Sequence, residues 1–394
     1  MRNLMRYMIC GVVCWGMLFE GCSKDDDVMG GESGVAIGFA RPIVAPSTTK
    51  VVTGPFIDTY NQGENFKFFA QWDKVGFSQW EGTGTTSNQS RPYLTDVEAR
   101  YNPSSLGWMP YANGQFVDYD WPLEGVLTFA AYSPAELVDY CESAPTYGVY
   151  TDGSKNFSGL RIYNYTVPAT HDQQIDIMYS KRAYNKRALR STTSLYNHVD
   201  LVFQHALSRV RFTARCDRSN TRVWLKKLSI KKVCNKGSFT EWVVEKDPQH
   251  KHDEYFTSLN HRKWSVDHNS LADKYFTFLD QPAGQEIFEE TPDKKRFESV
   301  DMLLMPQRFS PSQGPQGNQL DAKDAYIEIQ YSRDISNPDS TYVSTMKLGD
   351  LTPAWLGGKV YTYHISIGTS LIEFEPDVSQ NWGDTADDVI INPE

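Results

Sequence analysis

The sequence has few cysteines, and their number argues against a disulfide-stabilised fold. Only six cysteines occur among 394 residues. Three lie near the N-terminus, and the remaining three are Cys141, Cys216 and Cys234. An odd number of cysteines is not a disulfide framework. Cys216 and Cys234 could approach each other if their strands pair, but we expect buried free thiols.

Recognisable catalytic and metal-binding motifs are also missing. The sequence contains no GxSxG, HExxH, P-loop or EF-hand pattern. His205 lies on an apolar strand face and is expected to be a structural core histidine. Four further histidines lie in one polar stretch, but their spacing matches no ordered zinc pattern; they are His250, His252, His261 and His268. We therefore predict no enzymatic activity, no catalytic residue, no metal and no cofactor.

Basic residues are fewer than acidic ones, 39 against 49. The formal net charge is -10 at pH 7, whereas a nucleic-acid-binding protein needs a basic face to neutralise phosphates. We therefore expect no nucleic-acid partner. Convincing amphipathic helices are lacking too, and aromatic residues are abundant at 13%. Aromatic side chains favour pleated sheets, so this composition indicates an all-β protein.

The longest N-terminal apolar run, from Met8 to Phe19, is too short to span a bilayer and suits the core of a secretory signal. The pair Gly21-Cys22 ends a segment that resembles a bacterial lipobox, in which the cysteine becomes acylated. We predict a signal peptide over 1–21, lipidation of Cys22 with palmitate, and an acidic lipid-anchored linker over 22–34. Ordinary signal cleavage with Cys22 unmodified is the alternative.

The rest of the chain shows many short runs with a period of two, separated by Gly, Pro and Asn clusters. The most informative run is Val199 to Cys216. Its apolar positions are odd-numbered up to Leu207 and even-numbered from Val210 onward, and a shift of one residue inverts every side chain. We predict that the chain bulges or passes to another sheet between Ala206 and Arg209.

The spacing of these strands predicts β-sandwich architecture with Greek-key connections. Length suggests two domains. We place an N-terminal sandwich at 35–194 and a C-terminal sandwich at 195–394. The basic segment from Lys181 to Ser194 has no clear apolar stripe and is interpreted as the interdomain connection. One further prediction concerns Gly125 to Pro134, which is apolar on both faces and indicates a central strand.

Several blocks, taken in order, resemble the fimbrillin-like lipoproteins of the outer membrane. The blocks are Trp121-Pro122, FAAYSP after Gly125, IDIMYS, VDLVFQHALSRVRF, DMLLMPQ, WLGGKVYTYHISI and the element from Val378 to Trp382. They cover most of the chain from Ile37 onward. The resemblance implies two tandem sandwiches of transthyretin-like topology and a pilus subunit, tip adhesin or anchor in a surface-exposed fimbrium.

The resemblance also implies a maturation mechanism. A protease removes the outermost first strand, and an extended segment of a neighbouring subunit takes its place. Here the first strand would carry Val35, Ile37 and Phe39. Candidate cleavage sites are Arg41, which precedes a proline and is therefore a poor site, and Lys50. The candidate donor tail carries Val389, Ile390 and Ile391.

Two functions compete at this point. The first is a structural and adhesive fimbrial subunit that binds other fimbrial subunits by β-strand complementation and the membrane through its N-terminal lipid. The second is a monomeric surface lipoprotein that binds glycans or host proteins through sandwich loops. In either case a host or bacterial surface ligand is an expected partner.

Overall fold

The computed structural model describes residues 35–44, 59–74, 91–152, 155–188, 196–216, 222–244, 263–271, 275–288, 297–310, 322–333, 340–368 and 372–379. Its first twelve strands are β1 (Ala36–Phe39), β2 (Ile43–Val44), β3 (Phe66–Asp73), β4 (Arg91–Asn102), β5 (Gly107–Ala112), β6 (Gln115–Phe116), β7 (Val126–Ser133), β8 (Ser143–Asp152), β9 (Lys155–Thr166), β10 (Met178–Ser180), β11 (Ala183–Lys186) and β12 (Tyr196–Val199).

The strands that follow are β13 (Val202–His205), β14 (Ser208–Cys216), β15 (Val223–Lys231), β16 (Lys236–Val244), β17 (Trp264–Val266), β18 (Tyr275–Ile287), β19 (Phe297–Glu298), β20 (Met302–Leu304), β21 (Tyr326–Ser332), β22 (Tyr342–Lys347), β23 (Val360–Ile367) and β24 (Ile372–Ser379). Helical structure in the described ranges is confined to α1 (Leu348–Leu351) and three 3-10 segments, Ala135–Tyr140, His171–Gln173 and His268–Leu271. The predicted all-β class is confirmed.

The largest sheet has eleven strands, with the path β12-β1-β5-β4-β3-β7-β10-β13-β2 and with β6 and β11 attached at the side. The path begins with the pair β12-β1 and ends with the pair β13-β2. Because β1 and β2 belong to one segment of the chain, and β12 and β13 to another, the two ends of the sheet meet. The segment 36–44 runs parallel to 196–203, and we name this contact the seam. The sheet therefore returns on itself instead of ending in two open edges.

Strand β7 confirms the prediction of a central strand. All eight of its residues are buried, and it pairs with β3 on one side and with β10 and β11 on the other. The presence of β11 corrects the interpretation of Lys181 to Ser194 as a plain connection. Ala183 and Lys186 pair with β7 although only Ala183 is buried, so the short strand carries no apolar alternation that a sequence pattern could display.

Three smaller sheets contain the other strands. One has the path β19-β14-β23-β24 with β20 beside β14, another has β18-β15-β21-β22, and the third has β17-β16-β9-β8. The first two pack face to face, because Phe212 of β14 lies edge-on to Phe278 of β18 with ring centroids 4.7 Å apart. Between them they enclose much of the larger hydrophobic core.

The predicted crossing between Ala206 and Arg209 is confirmed. Strand β13 ends at His205 in the eleven-stranded sheet, and β14 begins at Ser208 in another sheet. Phe203 and Phe212 are both 0% exposed. The change of alternation in the sequence therefore marks the point where the chain leaves one sheet and enters the next.

Two sheets contain strands from both sides of residue 194. Strands β12 and β13 join β1, β10 and β2, while β8 and β9 belong to the same sheet as β16 and β17. Sheet membership thus crosses the proposed boundary at residue 194. The division into domains at 35–194 and 195–394, and the count of two sandwiches, stay predictions.

Candidate functional site

The first strand is the structural centre of the candidate site. Ile37 and Phe39 of β1 are 0% exposed, and Val35 is half-buried against the same core. The Phe39 ring lies edge-on to three phenylalanines, with centroid distances of 5.2 Å to Phe66, 4.7 Å to Phe68 and 5.7 Å to Phe129. Three aromatic neighbours make this side chain a central element of the core.

Strand β1 is paired on both of its sides. On one side it runs parallel to β12, from Ala36 opposite Tyr196 to Phe39 opposite Val199. On the other side Phe39 is opposite Trp108 of β5, and the Ile37 amide donates to the Tyr119 carbonyl at 2.7 Å. The expectation of an outermost strand is therefore wrong for β1, because the closure of the sheet places a neighbour on each side.

Strand β2 continues the seam after a short break at Arg41-Pro42. Ile43 lies opposite Val202, and Val44 lies opposite Phe203. The Ala40 and Ile43 amides donate to the carbonyls of Val199 and Leu201 at 3.2 and 3.0 Å. One extended segment, 36–44, thus supplies the parallel partner for 196–203.

Arg41 is exposed, but its surroundings hold it in place. Its Nε donates to the Tyr60 carbonyl at 2.8 Å, and the following Pro42 is buried. A protease must draw several residues around the cleaved bond into an extended, accessible conformation. At Arg41 this would require Pro42 to leave the core.

Several predicted site residues lie outside the described residues: Cys22, Lys50 and the tail residues Val389, Ile390 and Ile391. Their roles stay predictions. The seam was predicted in part, because the first strand was expected to carry Val35, Ile37 and Phe39. Its partners β5 and β12 were missed, because pairing over such sequence distances leaves no local signal.

The described histidines have structural surroundings. His205 Nδ1 lies 2.9 Å from Asp176 Oδ1, and both side chains are fully buried, which confirms the prediction of a core histidine with a partner. His268 lies in a 3-10 segment, and the other three histidines of the polar stretch lie outside the described residues. Within the described ranges, no group of three or more His, Cys, Asp or Glu side chains is placed to hold a metal ion.

The three downstream cysteines are free thiols in the structure, which confirms the expectation of buried free thiols for Cys216 and Cys234. Cys216 and Cys234 are buried, and Cys141 is half-buried. Burial raises the pKa of the Cys141 thiol to about 12, because a thiolate is poorly solvated away from water. A thiol in this state is a weak nucleophile at neutral pH.

Comparison with known protein families identifies the class. The model of the fimbrillin-like family matches residues 59–382, which is most of the chain, and the protein belongs to this family. The matched region contains most of the seam's partners, including β5, β12 and β13. The candidate first strand precedes it.

The solved structures that match this chain include two fimbrial proteins. A fimbrial protein from Bacteroides vulgatus is 16% identical, and the match spans 87% of this chain and 98% of the other chain, with a TM-score of 0.44. The tip fimbrial protein Mfa3 from Porphyromonas gingivalis, with a C-terminal truncation, is 9% identical, covers 81% of this chain and 94% of its own, and has a TM-score of 0.34. A comparison with curated proteins gives no match. Among the described residues, no helix has the length and apolar character needed to cross a membrane.

Proposed function

We propose that this protein is a fimbrial structural or adhesive subunit that is exported as a lipoprotein precursor and assembled by strand exchange after proteolysis. Membership of the fimbrillin-like family supports the fimbrial role. The observation that carries the mechanism is the seam. In the N-terminal segment 36–44, β1 pairs on both sides and fills the core with Ile37 and Phe39, while β2 pairs with β13.

Removal of this segment would leave a groove with defined chemistry. The backbone of β12 and β13 would lose its parallel partner, and Phe66, Phe68 and Phe129 would lose the Phe39 ring. Unpaired main-chain groups and exposed apolar surface both favour binding of another extended segment. The cleaved subunit would thus be ready to accept a strand from a neighbour.

The two candidate cleavage sites have different consequences. Cleavage after Arg41 would release β1 and leave β2, whereas cleavage after Lys50 would release the whole parallel partner of 196–203. The hydrogen bond of Arg41 to Tyr60 and the buried Pro42 disfavour cleavage at Arg41. We therefore propose Lys50 as the maturation site, with the tether at Cys22 lost together with the first strand.

The C-terminal tail has the spacing that the groove requires. Ile37 and Phe39 are two residues apart and both fully buried, so a replacement strand needs apolar side chains at positions i and i+2. Val389 and Ile391 have this spacing in the sequence, and in an extended donor strand Ile390 would face the other way. We propose that this tail is the donor to the next subunit.

Sequencing of the N-terminus of protein taken from the cell surface tests the maturation step. A start at Val51 supports cleavage after Lys50, and a start at Pro42 moves the site to Arg41. An acylated Cys22 on all molecules would contradict removal of the first strand and would favour a lipid-anchored terminal subunit or the monomeric lipoprotein.

The parity of the tail tests the donor step independently. We expect the double variant Val389→Asp/Ile391→Asp to be exported and cleaved normally but to form no polymers, whereas Ile390→Asp should still assemble. Polymer length is measured by electron microscopy and by SDS-resistant ladders on gels. Normal polymers from the double variant would overturn the donor assignment and leave the cleavage result unaffected.

A further inference from the structure

One surface outside the seam has an ordered arrangement of charge. It is the outward face of the β14-β23-β24 sheet, which we name the charged face, and it consists of Arg211, Thr213 and Arg215 on β14, Thr362, His364 and Ser366 on β23, and Asp377, Glu375 and Glu373 on β24. On β14 and β23 the residues between these positions belong to the core, and on β24 Phe374 packs against it whereas Pro376 is exposed. The charged face is a polar surface on which the charged side chains reach solvent, while Thr213 and Thr362 are buried.

The strand register places these residues in three rows. Arg211, Thr362 and Asp377 form the first row, Thr213, His364 and Glu375 the second, and Arg215, Ser366 and Glu373 the third. Each row runs from β14 through β23 to β24. As a result, a column with two positive charges and a column with three negative charges lie on either side of a column that carries hydroxyl groups and one imidazole.

Hydrogen bonds hold the positive column in position. Arg211 Nε donates to Thr362 Oγ1 at 2.9 Å, and Arg215 Nε donates to Ser366 Oγ at 3.0 Å. In the middle row Thr213 Oγ1 and His364 Nδ1 are 2.7 Å apart. The carboxylates of the β24 column are exposed. Charges fixed by a sheet lose little conformational entropy when they meet a partner.

We propose that the charged face binds the same face of a second copy of this chain, related by a two-fold axis that runs along β23. This rotation exchanges the two columns and keeps the rows. Arg211 of one copy then meets Asp377 of the other, Arg215 meets Glu373, and His364 lies on the axis. A two-fold axis perpendicular to the strands would instead place like charges together, so electrostatics selects the first arrangement.

The size of the charged face sets the strength of this contact. Three strands at a spacing of about 4.8 Å make the charged face only about 14 Å wide. The area that it can bury is therefore well below the roughly 800 Å² per partner of a standard interface. We therefore expect weak, salt-sensitive pairing. It packs the charged faces of two subunits against each other, with their strands running in the same direction. This contact is separate from the seam and does not depend on strand exchange.

Charge reversal tests the proposal with an internal rescue. The chain from residue 23 onward retains every described residue and is studied by sedimentation at low salt. Arg211→Glu/Arg215→Glu and Glu373→Arg/Asp377→Arg should each weaken self-association about tenfold, while an equimolar mixture of the two variants should form a heterodimer. The control Arg222→Glu/Lys347→Glu, which makes the same change of charge on the β18-β15-β21-β22 sheet, should behave as the original chain does.

Cross-linking locates the axis. His364→Cys should form a disulfide-linked dimer on mild oxidation, because the residue faces its own copy. Glu375→Cys should not do so alone, but it should cross-link when mixed with Thr213→Cys. The proposal is overturned if the original chain stays monomeric at low salt and high concentration, if the mixed reversal variants fail to associate, or if Glu375→Cys alone cross-links as fast as His364→Cys.

Discussion

Phe203 and Phe212 are both fully buried, yet their side chains belong to different hydrophobic cores. Phe203 stacks on Tyr60, with ring centroids 5.5 Å apart, in the core enclosed by the eleven-stranded sheet. Phe212 packs against Phe278 in the other core. The chain between them crosses from one core to the other, so this short run connects the seam to the β14-β23-β24 sheet.

The two phenylalanines should therefore have separable effects on stability. Phe203→Ala and Phe212→Ala are each expected to lower the free energy of unfolding by about 3–5 kcal/mol. Hydrogen exchange measured by mass spectrometry should show lost protection in β3 and β7 for Phe203→Ala, but in β18 and β23 for Phe212→Ala. Val202→Ala, at a half-buried position of β13, serves as a mild control. Identical exchange patterns for both variants would show that the cores unfold as one unit.

The Arg209–Asp301 pair offers a second prediction. Arg209 Nε donates to Asp301 Oδ2 at 2.6 Å, and the two side chains are 0% and 2% exposed. Arg209→Met leaves a carboxylate buried without its main partner and should cost about 3–5 kcal/mol, whereas Arg209→Met/Asp301→Leu should recover much of the loss. Chemical denaturation of both single variants and the double variant measures the coupling. As a control, Arg222→Met removes the pair with Glu286, in which Arg222 is 64% and Glu286 28% exposed, and should cost less than about 1 kcal/mol.

Gly107 allows the close approach of β5 to β1, which leads to a third prediction. A Cβ atom there would lie 2.9 Å from the Phe39 carbonyl oxygen, a backbone atom that cannot move unless β1 moves. Gly107→Ala should therefore loosen β1 and speed amide exchange in residues 36–39, while Gly63→Ala, where a Cβ would meet nothing within 4 Å, should leave it unchanged. Unaltered exchange in the Gly107 variant would mean that β5 can shift to make room.

The cysteines give a fourth prediction, with a defined pH dependence. Burial raises the pKa of the Cys141 thiol to about 12, so at pH 8 its thiolate fraction should be roughly a thousandfold below that of an ordinary cysteine. Ellman's reagent should label the folded chain from residue 23 very slowly and label three thiols in denaturant. The labelling rate of Cys141 should rise with pH toward the raised pKa. Rapid labelling of one thiol at pH 8 would contradict this.

Local alternation made some elements predictable. The continuous apolar run predicts β7 as a strand buried on both faces. The shift of parity after Leu207 follows from the period of two that a strand shows when its faces differ in polarity. The hairpin of β8 and β9 was missed. It contains Gly148 and Gly159 and several polar residues, and β9 gains its stability from pairing with β16, which lies far along the chain.

Arg209 shows the same limit for a single residue. The period of two puts Arg209 on the face of β14 that also carries Arg211 and Arg215, away from the apolar residues. This position predicts a solvated side chain. In the structure it is fully buried and paired with Asp301, whereas Arg215 is exposed and lies on the charged face. The difference depends on Asp301, whose position next to β14 is set by the pairing of β20 with β14.

The sequence by itself determined the all-β class, the family and the place where the chain changes sheets. Composition, the order of the motifs and the side-chain period can all be read without knowing which strands pair. Only the tertiary structure decided that β1 lies between β12 and β5, that the large sheet closes on itself, and that charges from β14 and β24 align in rows. These features depend on which distant strands pair and in which register. Main-chain hydrogen bonds are chemically the same for every sequence, so only the packing of the whole chain selects the partners.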